Sequence, residues 1–166
     1  MNTKEKELIA IAVSVAAGCE PCTQHHVKAA KEAGGQPNEL RQMVETALSV
    51  RERATQRMSA VAWEELGTPA EFPSCDASLP PSQLEALASA ACALAANCGV
   101  GVPGFLSAAM TAGASERDGE VALGIARQIK KVAAEKADET ARGDGKCTEA
   151  RSCCSAVTRE GSPACC

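Results

Sequence analysis

This sequence of 166 residues contains only three aromatic side chains, which are Trp63, Phe72 and Phe105. Alanine, the strongest helix former, is instead very frequent along the chain. Strands favour aromatic and β-branched residues, so a β-sandwich or β-barrel is not expected. Because 45% of the residues are hydrophobic and 23% are charged, the chain can bury a core as globular proteins do. The composition therefore favours helices over strands.

The charge pattern limits the partners that the chain can have. Its formal net charge is −4 and it contains no basic cluster, whereas phosphate binding needs a concentrated basic face. The few aromatic residues also leave no platform for base stacking. The apolar run 9–17 is too short to cross a bilayer. A signal peptide would carry a positively charged segment before such a run, but here Glu5 and Glu7 dilute the positive charge. We therefore expect a cytoplasmic protein that binds neither nucleic acid nor a membrane.

Apolar residues at helical spacing predict three helices within the range 1–66. The first is expected over about 4–17, with Thr3 as its cap. The second is expected to start near 19–21, because proline is tolerated in the first turn of a helix. The third is expected to start with Asn38 as its N-cap.

Prolines and composition divide the chain into four parts. We predict a first helical unit at 1–66, a linker at 67–81, a second helical unit at 82–142 and a cysteine-rich tail at 143–166. The linker is rich in residues that break helices and strands. These residues are Pro69, Pro73, Pro80 and Pro81. The tail has few apolar anchors, which predicts disorder when it is free.

The second unit resembles the first when the two are aligned without gaps. The alignment pairs Leu8 with Leu87 and Cys19 with Cys98, and it predicts a duplicated helical unit. Three polar positions of the first unit are replaced in the second: Cys22 by Gly101, His26 by Phe105 and Glu7 by Ala86. We expect Cys92 and Cys98 to be small buried core residues.

The sequence Cys19-Glu-Pro-Cys22 is a C-x-x-C motif at the start of a predicted helix. A helix N-terminus carries partial positive charge and unpaired N–H groups, which stabilise a thiolate. His26 follows Cys22 by one helical turn on the same face, so its imidazole can take the thiol proton. Glu7 lies on the preceding helix and can orient that imidazole if the two helices pack as a hairpin. The constellation predicts redox-active thiols with a Cys–His–Glu relay.

The pattern Glu7-x11-Cys19-x2-Cys22-x3-His26 resembles the alkylhydroperoxidase D-like branch of the carboxymuconolactone decarboxylase family. The resemblance covers the range 3–66, with a degenerate echo at 82–141. It implies an all-α fold of tandem helical units, assembly into a dimer or trimer, and thiol peroxidase or disulfide reductase activity.

By this resemblance, Cys22 is the peroxidatic thiol that forms a sulfenic acid, and Cys19 resolves it as a disulfide. By the same resemblance, His26 and Glu7 deprotonate Cys22 through water before it attacks. The residues themselves leave a second assignment open, because Cys19 lies nearer the helix start and could be the more acidic thiol. Some members of the family carry a second histidine within the C-x-x-C motif, where this chain has Glu20 and Pro21. The adjacent His25 points about 100° away from His26 on the helix, and we expect it to lie at the surface.

Five cysteines in the tail form a second candidate site, for soft metals or metalloids. Thiolates on a flexible chain can converge on arsenite, mercury or copper(I), and they could also exchange with the Cys19–Cys22 disulfide. The candidate ligands are Cys147, Cys153, Cys154, Cys165 and Cys166.

The sequence thus predicts a thiol-dependent peroxidase or disulfide oxidoreductase that requires no cofactor and acts in oxidative or metalloid stress defence. Its expected substrate is a peroxide or a disulfide, and its expected reductant, implied by the family, is dihydrolipoamide-like or thioredoxin-like. The alternative is a carrier of arsenic, mercury or another soft metal that binds through the tail. Replacing Cys22 by serine would abolish the first function, and deleting 143–166 would abolish the second.

Overall fold

The computed structural model describes residues 1–71 and 82–143. Over these residues the chain forms six α-helices and no strand, which confirms the all-α prediction. The helices are α1 (Thr3–Ala17), α2 (Glu20–Glu32), α3 (Pro37–Glu65), α4 (Gln83–Ala95), α5 (Gly101–Thr111) and α6 (Glu116–Ala141). Most of the predicted linker, at 72–81, and the predicted tail from residue 144 onward lie outside the described residues.

Two helix starts differ from the sequence predictions. Asn2, and not Thr3, caps α1, because its side chain accepts the Glu5 N–H while the Glu5 carboxylate accepts the Asn2 N–H. Gln36, and not Asn38, is the N-cap of α3, where the Gln36 N–H donates to the Glu39 carboxylate. In both helices a glutamate three residues after the cap decides the start, as in a capping box.

Helices α1 and α4 form the centre of the molecule. Their middle residues are buried on every side, as expected for helices without a polar face. Both helices contact α3 and α6, and they also contact each other. The buried residues of 1–66 and 82–142 therefore share one hydrophobic core. Within the described part of the chain, no helix is both long enough and apolar enough to span a membrane.

Helices α1, α3, α4 and α6 begin at the same end of the molecule. There the Met1 ammonium group lies 2.7 Å from the Asp118 carboxylate, which joins the starts of α1 and α6. The Lys4 ammonium group lies 2.8 Å from Glu39 and joins α1 to α3. Gln42 donates a hydrogen bond to Glu85 and joins α3 to α4. The opposite end of the core therefore holds the ends of α1 and α4, each followed by a short helix.

The backbone of the two halves repeats in the same register as the side chains. Gly18 ends α1 with φ 71°, and Asn97, at the corresponding position after α4, has φ 61°. Gly34 and Gly113, after α2 and α5, have φ 85° and 99°. Positive φ closes a helix C-terminus in the left-handed conformation, so both halves stop their helices in the same way.

Candidate active site

The turn between α1 and α2 holds the two cysteines of the motif. Gly18 ends α1, and the next residue, Cys19, is the N-cap of α2. The Cys19 N–H donates to the Ser14 carbonyl at 3.0 Å, which ties the turn back to α1. The Cys22 N–H points at the Cys19 sulfur at 3.3 Å. The Cys19 sulfur thus occupies the capping position, where backbone N–H groups stabilise negative charge.

Cys19 and Cys22 form a disulfide, with 5.3 Å between their Cα atoms. The two residues are 4% and 8% exposed, so the sulfur atoms lie at the edge of the core. The structure thus holds the C-x-x-C motif in its oxidised form.

Glu7 and His26 meet across the α1–α2 hairpin. The His26 Nδ1 atom lies 2.8 Å from Glu7 Oε2, and the side chains are 20% and 24% exposed. An ionised carboxylate only accepts hydrogen bonds, so Nδ1 is the donor in this contact. In the neutral imidazole the lone pair is then on Nε2, which is the nitrogen that can accept a proton.

His26 follows Cys22 by four residues within α2, which places both on one face of the helix. The neighbouring His25 is exposed, and its ring meets that of His26 edge-on with the centroids 5.0 Å apart. The hairpin therefore brings together Cys19 with Cys22 and Glu7 with His26, and it leaves His25 at the surface.

The corresponding region of the second half is apolar. Ala86, at the position of Glu7, is fully buried, and Phe105, at the position of His26, is 2% exposed. Cys98 and Cys92 are also buried, and burial raises the pKa of the Cys92 thiol. In this half, buried apolar side chains thus occupy the positions that Glu7 and His26 hold in the first.

Arg51 is a residue of the site that sequence reasoning missed. Its guanidinium group reaches from α3 to the last carbonyl groups of α1, beside Gly18. The signal that could have found it is indirect: α1 has no basic residue in its last turn, although a helix C-terminus attracts positive charge.

The five tail cysteines predicted as soft-metal ligands all lie outside the described residues. Those candidates are Cys147, Cys153, Cys154, Cys165 and Cys166. Within residues 1–71 and 82–143, no three cysteine, histidine or acidic side chains are grouped so as to hold a metal ion.

Residues 1–66 match the carboxymuconolactone decarboxylase family. The match spans α1, α2 and α3 and includes Glu7, Cys19, Cys22 and His26. It confirms, for this part of the chain, the predicted resemblance to the carboxymuconolactone decarboxylase family. No curated protein and no solved structure matches the chain.

Proposed function

We propose that the Cys19–Cys22 pair is the redox centre of a thiol-dependent peroxidase or disulfide oxidoreductase. The observation that carries the proposal is the Glu7–His26 hydrogen bond of 2.8 Å, one helical turn from a disulfide at a helix N-terminus. A structural disulfide needs no such neighbours, whereas an activated thiol needs a nearby base held in one tautomer. The family match of residues 1–66 agrees with this choice, since the family includes peroxidases as well as decarboxylases.

The reaction starts from the reduced pair. The thiolate of one cysteine attacks the terminal oxygen of a hydroperoxide, the O–O bond breaks, and an alcohol leaves with one proton. The attacking cysteine is now a sulfenic acid. The second cysteine attacks this sulfur and expels water, which produces the Cys19–Cys22 disulfide of the structure. An external dithiol restores both thiols by disulfide exchange and is itself oxidised to a disulfide.

His26 moves the protons in this scheme. Its Nε2 atom takes the proton of the attacking thiol, directly or through a water molecule, and returns it to the leaving alkoxide. Glu7 holds Nδ1 at 2.8 Å and stabilises the imidazolium ion that forms. Because His26 accepts the proton and Glu7 stabilises the resulting imidazolium ion, the thiolate is available near neutral pH without a metal ligand or cofactor.

We assign the attack to Cys22, because it shares a helical face with His26. The N-cap position of Cys19 supports the opposite assignment, since the Cys22 N–H points at its sulfur. Trapping the sulfenic acid with dimedone distinguishes them: we expect labelling of Cys22 in C19S, whereas labelling of Cys19 in C22S reverses the roles.

The burial of the sulfur atoms favours a small peroxide over a bulky one as substrate. For the reductant we propose a dihydrolipoamide-like or thioredoxin-like dithiol, and for the assembly a dimer or trimer. These proposals extend the family resemblance and are tested by substrate profiling and by light scattering.

Peroxide consumption in the presence of dihydrolipoamide tests the proposed function. We expect wild type and the C92S variant to consume hydroperoxide catalytically, because Cys92 is buried away from solvent. We expect C22S to lose this activity while it keeps the helical circular dichroism of wild type. Equal consumption by C22S and wild type would overturn the proposal.

A further inference from the structure

Arg51 binds the C-terminal end of α1, the helix that leads into the turn holding Cys19. Its Nη1 atom donates to the Val15 carbonyl at 3.2 Å and to the Ala16 carbonyl at 3.4 Å. The same atom lies 3.2 Å from the place where a Cβ on Gly18 would stand. The guanidinium group therefore rests directly on the residue before Cys19.

The end of α1 needs this cation for electrostatic reasons. The last carbonyl groups of a helix carry about half a negative charge, which repels a thiolate nearby. Helix α1 has no basic residue of its own in its last turn, and Cys19 follows it after a single glycine. Arg51 supplies the missing positive charge from α3, while the Cys19 N–H and the Gly18 N–H bond to the Ser14 and Val15 carbonyls.

We propose that Arg51 is a positioning residue for the redox pair: by holding the end of α1, it fixes the turn that presents Cys19 and stabilises the thiolate form of the pair. The proposal rests on the redox role proposed for Cys19 and Cys22. It adds a residue of α3, outside the hairpin, to the constellation of Glu7 and His26.

Arg51 acts among other charged groups. Glu20 is exposed in the first turn of α2 and adds negative charge beside the motif. Glu7 and His26 pair with each other at 2.8 Å. Arg51 is therefore the cation that the described contacts place at the α1 end of the turn. Because its side chain is exposed, salt should screen its effect on the thiolate.

The second half of the chain contains a matched control. Lys130 corresponds to Arg51 in the gapless alignment of the two halves, and its ammonium group lies 3.5 Å from the Leu94 carbonyl at the end of α4. Leu94 corresponds to Val15, and the Asn97 side chain, which also binds Lys130, follows α4 where Gly18 follows α1. The next residue is Cys98, but Gly101 replaces the second cysteine of the motif. The two halves thus share a capping cation, and the C-x-x-C motif follows it only in the first.

The test compares R51Q, R51K and K130Q by the alkylation of Cys19 and Cys22. Each full-length protein is reduced and then treated with iodoacetamide at pH 7, and the labelling rates are read by mass spectrometry. In low salt we expect R51Q to label about threefold more slowly than wild type, because alkylation follows the thiolate fraction. The difference should shrink in 1 M salt, and R51K and K130Q should stay within about twofold of wild type.

A purely structural role for Arg51 predicts the opposite sign. Loss of the cap would loosen the turn and expose the thiols, so R51Q would label faster than wild type at every salt concentration. Faster or unchanged labelling in R51Q, or equal slowing in K130Q, overturns the proposal. The assay needs no peroxide, so a reduced pair that fails to react with peroxide refutes the proposed peroxidase activity and leaves the comparison of labelling rates intact.

Discussion

His26 and Glu7 lie on different helices, 19 positions apart in the chain, yet the His26 Nδ1 atom and Glu7 Oε2 are 2.8 Å apart. The contact crosses the α1–α2 hairpin about one helical turn beyond Cys22. Hydrogen bonding by the carboxylate fixes the tautomer of the imidazole and leaves Nε2 as its basic atom. The hairpin thus joins two polar residues from separate helices in one hydrogen-bonded pair, which we propose to be the proton-transfer unit of the site.

Replacing Glu7 with glutamine tests this unit. We expect E7Q to lower the second-order rate constant of the reduced protein with hydroperoxide by about 10²-fold, because an amide cannot stabilise the imidazolium ion. Stopped-flow kinetics across a pH series measures the effect. The matched control is E32Q, which removes an exposed carboxylate from the far end of α2. Equal rates for E7Q and wild type would remove Glu7 from the mechanism.

Cys92 should be nearly unreactive in the folded protein. Its side chain is fully buried, and burial raises the pKa of its thiol, so both access and thiolate fraction are low. Alkylation of Cys92 at pH 8, followed by peptide mass spectrometry, should be at least about 10²-fold slower in native protein than in urea. Comparable labelling in the two conditions would show that the α4 core opens readily.

The turn before Cys19 should depend strongly on glycine. Gly18 has φ 71°, and a Cβ there would stand 3.2 Å from Arg51 Nη1. We expect G18A to lower the free energy of unfolding by about 1–2 kcal/mol, as measured by urea denaturation. The control is G34A, where φ is 85° but no atom lies within 4 Å of the added methyl group. If G18A reacts with peroxide more slowly than wild type while G34A reacts at the wild-type rate, the turn also positions the reactive cysteines. Equal unfolding free energies for G18A and wild type would contradict the strain argument.

Phe105 should be the most costly side chain to truncate. It is 2% exposed and fills, in the second half, the position that His26 holds in the first. Among the many alanines of this core few large side chains can move into the space, so we expect F105A to cost about 3–5 kcal/mol. Urea denaturation measures it, with F105L as the conservative control at less than about 1.5 kcal/mol. A loss below about 1 kcal/mol in F105A would mean that the core collapses around the cavity.

The sequence alone is sufficient to predict those parts of the structure that local patterns decide. The frequent alanines and the nearly unbroken apolar run of α1 identify buried helices without tertiary information. The hairpin of Glu7 and His26 was also within reach, because Gly18 separates two helices that must then fold back on each other. The cap of α1 was misplaced by one residue, since Asn2 and Thr3 are both capping residues and the reciprocal bond to Glu5 chooses between them.

Long-range contacts were beyond such reasoning. Arg51 reaches a carbonyl 36 positions earlier in the chain, and no local pattern marks an arginine on a long helix as the cap of another helix. The sharing of one core by the two halves depends on α3 packing against α4 and α6 against α1. A gapless alignment of the halves reveals that they are alike, but periodicity carries no information about which helix of one half packs on the other.

The most direct test is to map the thiols of fully reduced protein before and after one equivalent of hydroperoxide, while peroxide consumption is followed in parallel. Mass spectrometry of the peptides identifies which cysteines have been oxidised. The account predicts that the Cys19–Cys22 disulfide forms as the peroxide disappears and that Cys92 stays reduced. If Cys19 and Cys22 remain reduced while only tail cysteines such as Cys153 and Cys154 react, or if nothing reacts, the peroxidase account is wrong.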